Sequence, residues 1–548
     1  MPSAETAAVT YVDASEQARL AFRHVSAATP NKYLIETMGG GVAVLDYDND
    51  GWLDVFFVNG ARIENPQPDG SPMDKADPRF WNRLFRNNRG STFTDVTQKA
   101  GLQGAGYGMA VATGDYDNDG FTDLVVTTYG GAFLYRNNGN GTFSDRTRQA
   151  GLLTEGWTSC AGFLDYDHDG FVDLFVCRYL DWNFTAGARF CGTKQPGGRS
   201  YCHPDEFQPV SNYLFRNNGD GTFRDASESS GIKALPGKAL GVAFADFNRD
   251  GRIDISVAND SYPQFLFQNQ GGGGFAEVGT LAGAAYTEDG QVFAGMGTDF
   301  ADLDDDGLPD IITTALPYQY YVFLRNTGNG AFTDASSRSG LASITRLFGG
   351  WGMRVLDYDN DGGKDLFLVN SHVMDNIELT QPQLRYPQRM LLLHYRQQKF
   401  LDASPQSGEV FQQSWPSRGA AFGDLDNDGD IDVVVSACDG PARLLRNEGG
   451  HRNPWIGLEL RGVRSNRQGL GAEVVLVSET GRRQYNVSST AGSYFSASDR
   501  RVFFGLGREK AIRELRIRWP GGREQVIPAP ALNRILKVTE DVGEAARF

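Results

Sequence analysis

Short apolar runs of strand length recur along the whole chain, each bounded by Asp, Asn and Gly. "VFFVNG" (55–60), "LVVTTYG" (124–130) and "VVVSAC" (433–438) are rich in β-branched and aromatic residues, which suits strands rather than helices. A second kind of run breaks at an Asn/Gly turn: "RLFRNNRGSTFTDVT" (83–97), "FLYRNNGNGTFSDRT" (133–147), "YLFRNNGDGTFRDAS" (213–227) and "VFLRNTGNGAFTDAS" (322–336). Each reads as strand, tight turn, strand, and "FLFQNQGGGGFAEV" and "LLHYRQQKFLDAS" are eroded versions. Taken together the two kinds of run predict repeated units of four strands.

Ahead of each apolar run stands an acidic loop of fixed pattern, D-x-D/N-x-D-G-x-x-D, joining the first and second strands of a unit. It occurs seven times, at spacings of 50 to 81 residues, the range of propellers and solenoids. In the first copy Asp46, Asp48, Asp50 and Asp54 offer side-chain oxygens and Trp52 its backbone carbonyl. The corresponding sets are Asp115, Asp117, Asp119, Phe121 and Asp123; Asp165, Asp167, Asp169, Phe171 and Asp173; and Asp246, Asn248, Asp250, Arg252 and Asp254. They continue with Asp302, Asp304, Asp306, Leu308 and Asp310; Asp357, Asp359, Asp361, Gly363 and Asp365; and Asp424, Asp426, Asp428, Asp430 and Asp432.

Carboxylates at alternate positions of a tight loop repel one another until a cation is bound. Calcium is the expected cation, up to seven ions with a mainly structural role, because it takes six to eight oxygen ligands in flexible geometry. Zinc favours His and Cys, and magnesium keeps most of its waters. The EF-hand begins with the same pattern but needs a Glu at loop position 12. Here that position is Phe57, Val126, Val176, Val257, Thr313, Leu368 or Val435, and strands follow instead of helices. Merely solvated acidic hairpins are the competing reading, and they need no acid at four matched positions.

Four-stranded units repeated seven times predict a β-propeller, which hides sheet edges by closing radially. The seventh unit lacks a fourth strand, and "VTYVDASEQARL" (9–20) resembles "STFTDVTQKAGL" (91–102). The N-terminal strand is therefore expected to complete the last blade and close the ring. From about residue 451 the acidic loops stop and alternating segments such as "AEVVLVS" and "ELRIRWP" begin. The expected organisation is an all-β propeller over 1–450 and a small, Arg-rich β domain over 451–548 that docks on the ring.

The seven acidic loops resemble the FG-GAP/VCBS repeats of integrin α-like propellers. The tail resembles the ASPIC/UnbV domain through "SNRQGLGA", "FGLG" and "RIRWPGG", and together the two cover nearly the whole chain, as in the cartilage acidic protein-like family and its bacterial relatives. The resemblance implies a calcium-binding seven-bladed propeller with a C-terminal domain, without implying a reaction. Two loops depart from the pattern: Asn248 replaces an Asp in the fourth, and Pro309 rigidifies the fifth.

A formal charge of −16 over 548 residues argues against a nucleic-acid surface and points first to a cationic partner. Seven divalent ions would bring that charge to about −2, so most of the acidity is internal. No apolar stretch is long enough to span a membrane. Residues 1–30 lack the pattern of a secretory signal, so the expectation is an extracellular or periplasmic protein if a signal has been removed, and a cytoplasmic one otherwise. Cys191 and Cys202, in the Gly/Pro-rich "FCGTKQPGGRSYCHPDE", are expected to form a disulfide; a zinc site with His203 lacks a fourth ligand. Cys160, Cys177 and Cys438 read as buried small hydrophobes, and His168 as an outward-pointing loop residue.

Function is sought in the long unrepeated loops 59–82, 178–207 and 370–388. The leading reading is a calcium-stabilised binding or scaffold protein, monomeric, recognising a protein, glycan or small molecule. The alternative is an enzyme or accessory protein of a natural-product pathway, lyase-, isomerase- or cyclase-like, acting at the loop face or the channel. The resemblance leaves that role open, since some ASPIC/UnbV relatives are encoded with such pathways. Its candidate residues are Arg178, Tyr179, Asp181, His203, Asp205 and His372, with a histidine as general base and Arg178 holding an anionic group. No nucleophile elbow, phosphate loop or catalytic metal triad accompanies them.

Overall fold

A computed structural model describes residues 9–543. Seven four-stranded antiparallel sheets form the ring, and in the first six the strands follow chain order from the first outward. Blade 1 consists of Val42–Leu45, Asp54–Phe57, Arg83–Asn87 and Phe93–Asp95. In blade 7 the strands Ser417–Gly423, Asp432–Ala437 and Arg443–Glu448 are completed by Thr10–Asp13, with Thr10 opposite Glu448 and Asp13 opposite Leu445. The ring thus closes with the N-terminal strand, as the unit count requires. The apolar run of each second strand is buried on both faces, as in Asp54–Phe57 and Asp432–Ala437, because neighbouring blades pack face to face around the ring.

The tail folds into two facing sheets, one of Trp455–Arg461 between Val502–Gly505 and Ile535–Thr539, the other of Arg483–Val487, Glu473–Ser478, Ile512–Arg518 and Glu524–Pro528. Ile456, Leu458, Leu476, Phe504, Leu515 and Trp519 fill the space between them. Between Val487 and Val502 the chain leaves this sandwich and enters the central channel of the propeller. Ala497 exchanges backbone hydrogen bonds with Val42 and Val44 in blade 1, the Phe495 carbonyl accepts from Val111 in blade 2, and Gly492 donates to Val242 in blade 4. Ser493 pairs with Thr298 in blade 5, its hydroxyl accepts from Met353 N–H in blade 6, and Asp499 donates to Phe422 in blade 7. Gly41 permits the approach, since a Cβ there would stand 1.8 Å from the Phe495 carbonyl oxygen. At the tip, Tyr494 and Phe495 stack with centroids 3.9 Å apart and are fully buried.

The other end of the channel is capped by the N-terminal segment and the long insertions. Tyr33, Tyr129, Trp157, Trp182 and Phe184 form an aromatic cluster with neighbouring centroids 4.9–6.2 Å apart. The Tyr494 hydroxyl reaches the cap and donates to Met38 O at 3.2 Å. Arg418, fully buried, lies 4.0 Å over the Trp351 ring and donates to the carbonyls of Thr37 and Ser417 at 2.8 and 3.0 Å. Cap and plug thus meet inside the ring, and the channel is filled with side chains.

Two disulfides are present, Cys191–Cys202 as expected and Cys160–Cys177. The second corrects the reading of Cys160 and Cys177 as unpaired hydrophobes: they lie on adjacent antiparallel strands of blade 3, where Ala161 faces Val176, so the two sulfurs fall opposite each other. Cys438 is free and buried. No helix among the described residues is long and apolar enough to cross a membrane. The two disulfides are compatible with an extracellular protein.

Glu36, under the cap, is 1% exposed; Oε1 accepts from the Thr29 hydroxyl at 2.6 Å, while Oε2 has no partner. Burial pushes its carboxyl up to about 7, against hydrogen bonds from Thr29 and the charge of Lys32 that oppose the rise. The folded chain therefore holds this proton more tightly than the unfolded chain, and stability from this group is lost as pH rises from 4.5 through 7. Glu36→Gln should exceed the wild type by on the order of 2 kcal/mol at pH 8.5 and match it near pH 5. Denaturant melts at the two pH values check this, and equal gains at both would contradict it.

Candidate metal centres

Because the strands of a blade alternate in direction, the acidic loop after strand one and the Asn/Gly hairpin after strand three emerge at the same end of the ring. Six of the seven acidic loops are closed by hydrogen bonds to their first Asp, the third, with Asp165, being the exception. Asp46 accepts the backbone N–H groups of Asp50 and Gly51 at 3.1 and 2.9 Å, and Asp115, Asp246, Asp302, Asp357 and Asp424 repeat the pair. The Gly at position six takes φ between +87° and +99° in all seven copies, a region only glycine enters freely. The ninth-position Asp ties the loop to the sheet: Asp54 Oδ2 accepts from Tyr47 N–H at 3.1 Å and Oδ1 from Asn87 N–H at 2.7 Å.

Carboxylate oxygens of Asp46, Asp48 and Asp50 lie within 4.8 Å of one another, as do those of Asp115, Asp117 and Asp123, of Asp165, Asp167 and Asp173, and of Asp302, Asp304 and Asp306. Burial, reinforced by the neighbouring carboxylates, pushes Asp46 up to about 6, Asp115, Asp165 and Asp424 to about 7, and Asp54, Asp123, Asp173 and Asp432 well above the usual range. Several buried oxygens have no hydrogen-bond partner: Asp48 Oδ1, both of Asp165, Asp304 Oδ1, Asp365 Oδ2 and Asp426 Oδ1. Buried acceptors rarely go unpaired. Convergent, all-oxygen and partly orphaned, these donor sets fit a hard divalent cation such as calcium.

Two parts of this apparatus were not read from the sequence. The Arg of the "RNN" hairpin signature reaches back to loop positions three and five: Arg86 to Asp48 and Asp50 at 2.7 and 2.8 Å, and Arg136 to Asp117 and Asp119 at 2.5 and 2.8 Å. Arg216 does the same with Asp167 and Asp169, and Arg325 with Asp304 and Asp306. The recurrence of Arg before Asn in every good copy was the available signal. The fourth loop position, which looks variable, takes φ between +53° and +60° in all seven copies, a conformation that Asn tolerates well. Asn49 donates to Gly120 O, Asn118 to Gly170 O, Asn360 to Gly429 O and Asn427 to Gly51 O, at 2.8–3.0 Å. Each bond links one acidic loop to the next around the ring. His168 holds this position in blade 3 and does not point outward as expected; its Nδ1 meets the Pro520 carbonyl of the sandwich.

The Arg-rich sandwich covers this end of the ring. Arg501 donates to Asp424 O at 2.7 Å, Arg482 to Gly362 O at 2.5 Å and Arg518 to Asp246 Oδ2 at 3.0 Å. A cleft of about 330 Å³ remains beside loops one and two, lined by Asp46, Asp115, Arg467, Arg500 and Lys537.

The catalytic candidates are distributed at the cap end. Tyr179 is buried with its hydroxyl 2.5 Å from Asp260. His203 and Asp205 are exposed side by side, and Asp205 pairs with Lys238 at 2.9 Å. Asp181 is exposed on a short strand with Gln208 opposite it. Arg178 lies over the Tyr213 ring. His372 is 8% exposed in the insertion after blade 6's second strand; its Nδ1 accepts from Met374 N–H at 2.9 Å, and burial together with Arg418 lowers its imidazole to about 4. His203 with Asp205 on one side, and His372 with Arg418 on the other, are held by different partners.

FG-GAP-like repeats match residues 46–126, 115–176, 207–257, 246–313 and 302–368, more than half of the chain, and an ASPIC and UnbV domain matches 462–545. Cartilage acidic protein 1 of Homo sapiens is 24% identical over 341 residues, covering 61% of this chain and 48% of the relative. The Mus musculus protein is 25% identical over 342 residues, covering 61% and 49%. The chain spans about half the length of these curated relatives. Among solved structures, a Burkholderia pseudomallei lectin, BP39L, aligns at TM-score 0.43 and 10% identity over 74% of this chain and 95% of its own. YCF48 bound to a D1 peptide aligns at 0.40 and 9% over 75% and 94%; likenesses this distant say nothing about ligands. By its repeats, its acidic loops and its C-terminal match, the chain belongs to the FG-GAP-like repeat family and carries an ASPIC/UnbV domain.

Proposed function

We propose that this protein is a calcium-stabilised binding or scaffold propeller whose recognition surface is the cap. In the first six acidic loops the side-chain oxygens at positions one, three, five and nine, an amide oxygen from Asn248 in the fourth, and the position-seven carbonyl would hold the ion, which supplies the charge that keeps the loop folded. The observation that carries the reading is the filled channel: plug and sandwich occupy one end of the ring, leaving the insertions at the other end as the irregular, unrepeated surface. There Phe190 and Leu379 stand 53% and 59% exposed. A shallow recess of about 390 Å³ lined by Lys32, Phe190, Lys194 and Arg199 adds positive charge to that apolar edge, and the Cys191–Cys202 disulfide staples it. Such a surface favours an acidic protein or glycan.

A photo-crosslinking residue at Phe190 tests this against one at Val526, which is 52% exposed on the sandwich at the opposite end. Incubated with extracellular extract, the Phe190 position should capture a discrete partner that the Val526 position does not. Equal capture at the two positions, or none at Phe190, would overturn the cap as the recognition surface.

A further inference from the structure

The seventh loop departs from the other six where its chemistry changes most. Position seven is Trp, Phe, Phe, Arg, Leu or Gly elsewhere and Asp430 here. Asp430 is 2% exposed, and its Oδ1 has no hydrogen-bond partner. Its Oδ2 accepts from the backbone N–H of His451 at 3.1 Å and lies 2.8 Å from His451 Nδ1. The same ring nitrogen is 2.9 Å from Asp428 Oδ2, so Asp428, Asp430 and His451 present ligand atoms within 4.8 Å of one another. Asp426 Oδ1 is a second buried oxygen without a partner. Arg446 flanks the loop and neutralises Asp432 at 2.6 Å and Asp426 at 3.1 Å.

His451 sits in the turn Gly450–Arg452, between the last propeller strand, which ends at Glu448, and the first sandwich strand, which begins at Trp455. A Cβ at Gly429 would fall 1.8 Å from the Trp455 ring, so connector and loop are pressed together. The loop also lies beyond the residues matched by the FG-GAP-like repeats, which end at 368.

We propose that the seventh loop and His451 form a separate metal site of mixed nitrogen and oxygen donors. It takes a first-row transition-metal dication, Mn²⁺ or Zn²⁺, in preference to Ca²⁺ and clamps the connector to the propeller. Calcium sites are built from oxygen, whereas imidazole suits transition metals. The His451–Asp428 and His451–Asp430 separations of 2.9 and 2.8 Å bring one imidazole nitrogen and two carboxylate oxygens close enough to share a single ion at ~2.1 Å from each. The proposal rests on the reading of the acidic loops as cation sites but not on calcium in the other six.

Calcium-loaded protein titrated with Mn²⁺ should bind one equivalent tightly, and electron spin-echo spectroscopy should show ¹⁴N modulation from imidazole. His451→Gln should abolish the modulation and weaken Mn²⁺ binding by at least ~10-fold while leaving the calcium content unchanged. Tight Mn²⁺ without nitrogen modulation, or affinity unchanged in His451→Gln, would overturn the proposal. The wild-type spectrum decides even if the variant folds poorly. Calcium content, measured separately, reports on the other loops, so failure there is distinguishable from failure here.

Discussion

Stripping the protein with excess EGTA should lower its melting temperature by at least ~10 °C, and Ca²⁺ added well above its dissociation constant should restore it. A ligand that binds only the folded state at about 100 times its dissociation constant contributes about 2.7 kcal/mol per site, and a large domain shifts by about 2–4 °C for each kcal/mol. Several sites together reach the stated shift even if the hairpin arginines already neutralise part of each loop, as Arg86 does for Asp48 and Asp50. Loops are linked to their neighbours through bonds such as Asn49 to Gly120 and Asn427 to Gly51. Loss of metal should therefore appear as one cooperative shift of the ring rather than as fraying of single blades. A differential scanning experiment with and without chelator reads this directly, and a shift below about 2 °C would contradict it.

Tyr494→Ala should cost ~3–5 kcal/mol, the range for truncating a large buried aromatic, and lower the melting temperature by about 10 °C. The side chain is fully buried, packs edge-on against Trp351 at 4.9 Å, stacks on Phe495 and holds the cap through Met38. Its removal opens a void where plug, ring and cap meet, so protease cleavage within 488–501 should accelerate in the same variant. A variant as stable and protease-resistant as the wild type would mean that the plug is dispensable for the fold.

Much of the fold was legible because its determinants are local and repeated. Asp46 to Asp54 encodes a turn, an ion cage and the start of a buried strand within nine residues, and seven copies average out the noise of any single one. Closure was legible because Val9 to Leu20 repeats a pattern found elsewhere in the chain. The plug was not: "SSTAGSYFSASD" has small residues and no alternation, and its burial depends on a channel built by segments up to about 450 residues away. Small side chains are what a narrow channel admits, and a lone Tyr-Phe pair in a loop too long for a hairpin was the remaining signal. The Cys160–Cys177 bond was hidden because both cysteines lie in strand-like runs, where pairing depends on cross-strand register. The ion loops could be read one at a time; the Asn links and the Arg back-reach could not, since they join residues brought close only by ring closure and by strand direction.

The cap presents the opposite case. Arg178, His203 and His372 stand out for their chemistry, yet Arg178 lies over Tyr213 of its own blade, Asp205 beside His203 pairs with Lys238 at the next blade, and His372 lies beside Arg418 of blade 7, so each has a separate structural setting. Irregular insertions carry no period from which their mutual placement could be inferred.

The central claim is that the acidic loops are structural cation sites, and metal content tests it most directly. Protein purified without chelator and dialysed against trace-metal-free buffer containing micromolar Ca²⁺ should carry about six calcium ions per chain by mass spectrometry of the acid digest. One ion or none in folded protein would contradict the account, because the orphaned buried oxygens of Asp48, Asp165, Asp304 and Asp365 would then lack the partner that explains them.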